Sequence, residues 1–238
     1  MKKLEKLRAL MLEKYTENIE RFLKLLSPAQ TLLDIGCGDG SFTKRIAETT
    51  GANEIFGIKI VSKFAMEAKM KGINVVLADA NKPFPFRDCS FDAVVSNQVI
   101  EHINYTDLFV KECYRVLKTG GYAVVSTENL ASLHNIFSLI LGYQPFSTRV
   151  SDEVVLGNPL NPNYKVRDKH SGPRHYSHRR IFVARSLKEL FEWHGFKVEV
   201  IIGSHLYPLP SFISRQLPQA ILRRYGANIT IKAYKPQT

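Results

Sequence analysis

The sequence predicts an α/β fold, a mostly parallel sheet with helices on both faces. Two observations carry this expectation. Apolar strand-like runs alternate with helix-like stretches through the first half of the chain, and the first of these runs ends in the glycine-rich turn Gly36-Cys37-Gly38-Asp39-Gly40. Length agrees: 238 residues with 45% hydrophobic composition suit one α/β domain with an appendage.

From the N-terminus, Leu4, Leu7, Met11, Tyr15, Ile19, Phe22 and Leu26 repeat at three- and four-residue steps, predicting an amphipathic helix over 2–26. Residues 1–27 are therefore set apart as a helix that packs on the domain or covers its site. Membrane-surface adsorption is the other reading, from Lys2, Lys3, Lys6, Arg8 and Lys14, and the interspersed Glu5, Glu13, Glu17 and Glu20 weaken it. Leu32, Leu33 and Ile35 then form a strand able to bury on a parallel sheet. The glycines after it permit positive φ and close ligand approach, and a helix starting near Ser41 would face its free N–H groups to the turn.

Further strands are expected at 54–58, 74–77, 91–97 and 121–126. Helices are expected at 61–71 and between Thr106 as N-cap and Gly120 as C-cap, with Leu108, Phe109, Cys113, Val116 and Leu117 inward. A helix over 130–141 follows. Residues 142–180 are rich in Pro, Asn, Gly, His and Arg and exceed an ordinary connection in length. Order returns with a helix capped by Ser186 and Glu189, carrying Leu187, Leu190 and Phe191 and stopped by Gly195. Strands at 196–202 and 228–234 complete the chain.

The spacing Asp34-Ile35-Gly36-x-Gly38-x-Gly40 differs from the dinucleotide fingerprint G-x-G-x-x-G. It resembles the first motif of the class I S-adenosylmethionine-dependent methyltransferases. Residues 96–103 (Ser-Asn-Gln-Val-Ile-Glu-His-Ile) and 115–121 (Arg-Val-Leu-Lys-Thr-Gly-Gly) resemble two further segments of that family, and the nearest group is the type-11, ubiquinone/menaquinone methyltransferase-like family. The resemblance covers 28–126. It implies a Rossmann-like seven-stranded sheet whose last strand inserts antiparallel between the fifth and sixth, with residues 28–238 as the methyltransferase domain and 142–180 as a substrate-side insertion.

The resemblance further implies S-adenosyl-L-methionine as cofactor and S-adenosylhomocysteine as product. Its cofactor positions map here to Asp34, Gly36, Cys37, Gly38 and Gly40, then Ile58 and Lys59, Asp79 and Ala80, and Asn97 and Gln98. Lys59 departs from the pattern, which has an acid for the ribose hydroxyls; lysine has donors and no acceptor, so either it points partly away or the ribose is held by backbone and water. Where the methyl acceptor arrives protonated, candidate bases are His102, His175 and Tyr176.

Charge suggests the substrate class. The chain carries 33 basic against 22 acidic residues, a net charge of +11, and 165–185 holds seven basic residues against one acid, Asp168. A small anionic or partly apolar substrate fits, and the loop could equally be a solvated basic segment. Nucleic acid is the minor alternative, since no RNA-binding motif is present. An NADP-dependent oxidoreductase would explain Lys59 as a 2'-phosphate ligand but lacks the third glycine at its spacing. A non-catalytic cofactor- or nucleic-acid-binding module is the remaining alternative. His175-x-x-His178 lacks accompanying cysteines, so no metal site is expected. Three isolated cysteines, with no signal-like block and no apolar run long enough to span a bilayer, point to a soluble cytoplasmic protein. Nothing in the chain signals an oligomeric state.

Overall fold

The computed structural model describes residues 2–151, 153–166 and 178–237, and the side chains from residue 9 onward. Seven strands form one sheet: β1 (Thr31–Ile35), β2 (Glu54–Lys59), β3 (Asn74–Leu77), β4 (Phe91–Asn97), β5 (Leu117–Glu128), β6 (Lys197–Ser204) and β7 (Asn228–Tyr234). Their order is β3-β2-β1-β4-β5-β7-β6. Six run in one direction, while β7 runs antiparallel to both of its neighbours, β5 and β6. The strand order reverses between β1 and β4, which opens a crevice at their carboxyl ends.

Helices α1 (Lys2–Leu23), α2 (Ser41–Thr50), α3 (Ser62–Met70), α4 (Thr106–Val116), α5 (Leu133–Ile140), α6 (Ala184–Trp193), α7 (Ser211–Ser214) and α8 (Gln219–Tyr225) surround the sheet. Two apolar layers result. One joins Leu33, Ile35, Val94, Phe109, Val116, Leu187 and Phe191. The other joins Phe22, Leu32, Ile46, Ala68, Val95 and Val124. Leu32 and Leu33 point to opposite layers because successive strand side chains alternate, so a buried parallel strand is apolar on both faces.

Several boundaries differ from expectation. Thr106 is the first helical residue of α4, with Tyr105 before it, and α4 ends at Val116 because Leu117 already pairs with Phe91 across the sheet. Gly120 is therefore a bend inside β5. The register jumps from Phe91↔Leu117 to Ala93↔Tyr122, and Gly120 sits at φ 78 in the extra length. Ser186 is not the cap of α6 but its third residue: its Oγ accepts from Val183 N at 3.2 Å. Glu189 pairs instead with Arg185 at 2.8 Å. Helix α5 starts at Leu133, later than expected, and α7 and α8 form in the 205–227 connection, where the apolar pattern was too short to announce a helix.

The N-terminal helix is also differently seated. Ile19 and Phe22 reach the core, but Met11 and Tyr15 are exposed and the polar Glu17 and Asn18 are buried. Hydrogen bonds explain the burial. Glu17 Oε1 accepts from His205 N at 3.1 Å, and its Oε2 lies 3.1 Å from His205 Nδ1, an ion pair when that imidazole is protonated. Among the described residues no helix is long and apolar enough to cross a membrane.

Candidate functional site

The glycine-rich turn occupies the carboxyl end of β1. Gly36, Gly38 and Gly40 take φ values of 84, 57 and 82, the left-handed region where a Cβ is strained. Gly36 N donates to Ile58 O at 2.9 Å, tying the turn to β2, and Gly40 starts α2 by accepting from Lys44 N at 3.0 Å. A Cβ on Gly36 would collide with the Val99 side chain.

Beneath the turn, Asp34 is buried and accepts from Thr43 Oγ1 at 2.7 Å. Burial pushes its pKa up to about 6, with the Thr43 hydrogen bond and the Lys59 charge opposing. The Cys37 side chain turns away into the core, where a Cβ on Gly57 would lie 2.7 Å from its Sγ. Burial drives that thiol up to about 12, so Cys37 offers its backbone and not a thiolate.

A cavity of about 250 Å3 opens beside the turn and is lined by Gly36, Ile58, Lys59, Asp79, Ala80, Asn97 and Gln98 among the expected cofactor residues. Asp34, Cys37, Gly38 and Gly40 do not line it; they shape the turn from below and from its outer side. His102 also lines this cavity, together with Val99 and Ile103, which periodicity alone could not single out. Asp79 Oδ1 accepts from Asn81 N and Asn81 Nδ2 at 2.9 and 3.0 Å. The half-buried Lys59 places its Nζ 5.5 Å from the Phe64 ring centroid, and desolvation lowers its pKa.

A second cavity, about 340 Å3, adjoins the first at Gln98, which lines both. Its walls come from α1 (Met11, Lys14, Tyr15, Asn18), from Glu128 and Asn228 at facing strand ends, from His134 on α5, and from the 142–166 segment. Polar side chains hold that segment together. Asn158 Nδ2 donates to Ser138 Oγ and Gln144 O at 3.0 and 2.8 Å, and Asn135 Nδ2 donates to Ser147 Oγ at 2.9 Å. Short polar side chains thus replace an apolar core there.

Glu128 Oε1 accepts from Lys14 Nζ at 3.1 Å, and its Oε2 lies 3.7 Å from His178 Nδ1. Burial alone would raise this carboxyl, but Lys14, His178 and a Ser147 hydrogen bond hold it at about 2, so it is ionised. Glu101 behaves oppositely. It is buried, accepts from Thr127 Oγ1 at 3.0 Å, and is pushed up to about 8 by burial, with the Glu128 charge adding to the shift. His134 is driven down to about 3 by burial and stays neutral. The Asn228 Oδ1 atom at the cavity wall is buried without a hydrogen-bond partner.

Of the expected bases, only His102 lies within the described residues; His175 and Tyr176 fall outside them. The geometry instead brings in His178, whose ring centroid is 5.0 Å from that of His102 where the two cavities meet. Glu101, His102 and His178 each present one ligand atom, all within 4.8 Å of one another. Only His102 of this trio was singled out from sequence as a functional group, and the three converge through folding, since 76 residues separate His102 from His178.

Residues 33–125 match the family profile described as a methyltransferase domain. The rat mitochondrial ubiquinone biosynthesis O-methyltransferase is 26% identical over 192 residues, 76% of this chain and 48% of that protein. A probable S-adenosylmethionine-dependent methyltransferase of Mycolicibacterium smegmatis is 30% identical over 173 residues, 72% of this chain and 54% of that one. The chain spans about half the length of these curated relatives. Among solved structures, a Thermotoga maritima protein titled a SAM-dependent methyltransferase and possible histamine N-methyltransferase superposes with TM-score 0.63 at 19% identity, covering 98% of this chain and 95% of that one. A Listeria monocytogenes protein titled a putative S-adenosylmethionine dependent methyltransferase gives TM-score 0.63 at 19% identity, covering 94% and 100%.

Proposed function

The chain belongs to the class I S-adenosylmethionine-dependent methyltransferases through its type-11 methyltransferase domain, and from that premise we propose that it transfers the methyl group of S-adenosylmethionine to a small molecule held in the second cavity. One observation carries the reading: a cofactor-side cavity at the glycine turn and a substrate-sized cavity meet at Gln98. The fit to the cofactor rests on the turn, where left-handed glycines leave a cradle that a Cβ on Gly36 would block against Val99. Asp79, Asn97 and the Gly36 backbone would hold it, with the rest of the turn shaping the cradle and Lys59 beside Phe64 in place of the usual ribose-binding acid. When bound, the cofactor supplies an electrophilic sulfonium methyl.

This chain's own residues then have three tasks: to align the acceptor, to exclude water and, where needed, to take a proton. Alignment alone can be worth about 7 to 11 kcal/mol. Tyr15, Phe146 and Tyr207 offer apolar walls, Arg149, Asn161 and Asn163 offer polar and cationic ones, and Asn228 Oδ1 offers an acceptor for a donor on the substrate. A partly apolar molecule with a polar or anionic end suits this lining. His102 is the group positioned to accept a proton where the cavities join. The α1 helix closes the second cavity through Met11, Lys14, Tyr15 and Asn18, which supports a covering role. The thiols, Cys37 and Cys113 buried and Cys89 exposed, all unpaired, fit a reducing cytoplasm.

Titration calorimetry with S-adenosylhomocysteine and with NADPH tests the reading. Heat from the first and none from the second is expected, and the reverse overturns it. Transfer of labelled methyl groups into a fractionated metabolite pool then identifies the acceptor.

A further inference from the structure

Helix α5 is amphipathic in the wrong sense for a soluble surface helix. Its buried side chains are polar, namely His134, Asn135 and Ser138. Its exposed ones are Phe137, Leu139 and Ile140, followed at once by the exposed Leu141, and Ile140 is 74% open to solvent. The helix cannot roll over to hide them. Asn135 Nδ2 is held by Asn129 O at 3.1 Å and Ser147 Oγ at 2.9 Å, and Ser138 Oγ accepts from Asn158 Nδ2 at 3.0 Å, so the polar side is pinned inward. Nor is there a charge to solvate the exposed side, because residues 130–148 contain no Asp, Glu, Lys or Arg. Clustered large apolar groups left in water mark a surface that something covers.

We propose that the outward face of α5 seats this protein on an anionic lipid surface. Charge selects that occupant over a second copy of the chain. With a net charge of +11, two copies repel each other, whereas an anionic surface attracts either. Among the described residues, Arg180 stands two positions before Phe182, whose carbonyl accepts from Leu130 N at 2.8 Å close to the start of the helix. No described helix is long and apolar enough to span a bilayer, so the contact is one of shallow adsorption, with α5 lying in the interface. The docking stands apart from the methyl transfer proposed above. One consequence does rest on that reading: His134, on the inward side of α5, lines the second cavity, so a docked helix would bring the substrate cavity close to the lipid boundary.

The test is flotation of the 238-residue chain with phosphatidylcholine vesicles, with and without phosphatidylglycerol. Binding to the anionic vesicles, weakened by salt, is expected. The double variant Phe137→Ser/Ile140→Ser should reduce that partition roughly tenfold or more, since both side chains leave the interface, while Leu160→Ser, an exposed apolar control outside α5, should not. Unchanged melting temperature and S-adenosylhomocysteine affinity in the double variant would show that the fold and the cofactor site are intact. Absence of binding to either vesicle, or binding indifferent to the two serines, overturns the proposal. Concentration-dependent dimers that the double variant abolishes, without vesicle binding, would assign the face to self-association and overturn it as well. Loss of methyl transfer with vesicle binding intact would count against the enzymatic reading alone.

Discussion

The side-chain amide of Asn18, on the N-terminal helix, donates to the side-chain carbonyl of Asn97, at the end of β4, across 3.1 Å. The Asn18 carbonyl in turn accepts from Ser126 Oγ at 3.2 Å and Ser204 Oγ at 3.3 Å. One buried amide therefore ties α1 to the carboxyl ends of β4, β5 and β6. It does so at the border of the two cavities, because Asn97 lines one and Asn18 the other.

Replacing Asn18 with Ala should loosen α1 and leave Ser126, Ser204 and Asn97 short of partners. A loss of about 1 to 3 kcal/mol is expected from unsatisfied buried groups. Urea denaturation would read it, and limited proteolysis would show cleavage in α1 before the domain. A variant as stable as the parent and equally resistant would refute the network as a fastener.

At Gly36, alanine combines two penalties, a left-handed φ of 84 and a collision with Val99. The turn must then shift out of the cradle. S-adenosylhomocysteine affinity should fall at least tenfold. Gly36→Ala/Val99→Ala would relieve the collision but not the strain and should recover only part of the loss.

The cofactor cavity contains an acid and a base with unequal roles. Asp79 has one oxygen committed to Asn81, leaving the other for a ligand donor, and Asp79→Ala should weaken cofactor binding by about 1 to 3 kcal/mol. Lys59 rests on Phe64, and Lys59→Ala should cost less. Calorimetry on both variants decides. A larger loss at Lys59 would mean that the ammonium, and not the backbone with water, holds the ribose.

The sheet and the first cavity were legible because they depend on local signals. A strand buried on both faces must be apolar throughout, as at 31–35, and a turn that needs left-handed φ must place glycine, as at 36, 38 and 40. The second cavity was hidden because its parts come from remote stretches. Lys14 meets Glu128 across 114 positions, and neither sits in a pattern that foretells the pairing. The same applies to α1, whose apolar stripe predicted Met11 and Tyr15 on a packed face. Burial of Glu17 and Asn18 depends on partners at 205, 97, 126 and 204, which no helical period encodes. His178 was passed over for His175 and Tyr176 because a basic loop gives no internal signal of which residue faces the site.

The pH dependence of stability should bear the mark of Glu101. Its folded pKa, about 8, lies above its ordinary value of 4.5, so the folded protein keeps a proton that the unfolded chain gives up. The favourable contribution is complete below about 4.5 and is lost as pH rises toward 8, at about 1.4 kcal/mol per pH unit inside that window. Asp34, raised to about 6, adds a decline of the same sign that ends earlier. Glu128, held at about 2, has the opposite sign and acts only at more acidic pH. Glu101→Gln keeps a carbonyl able to accept from Thr127 Oγ1 and removes the proton from the balance. Between pH 7 and 8, above the Asp34 window and above the 6.5 near which an unfolded His134 gives up its proton, its stability should be nearly flat while the parent falls. Urea midpoints measured at half-unit steps give the comparison. Equal slopes in the two proteins would mean that Glu101 is ionised in the fold and that Thr127, not burial, sets its state.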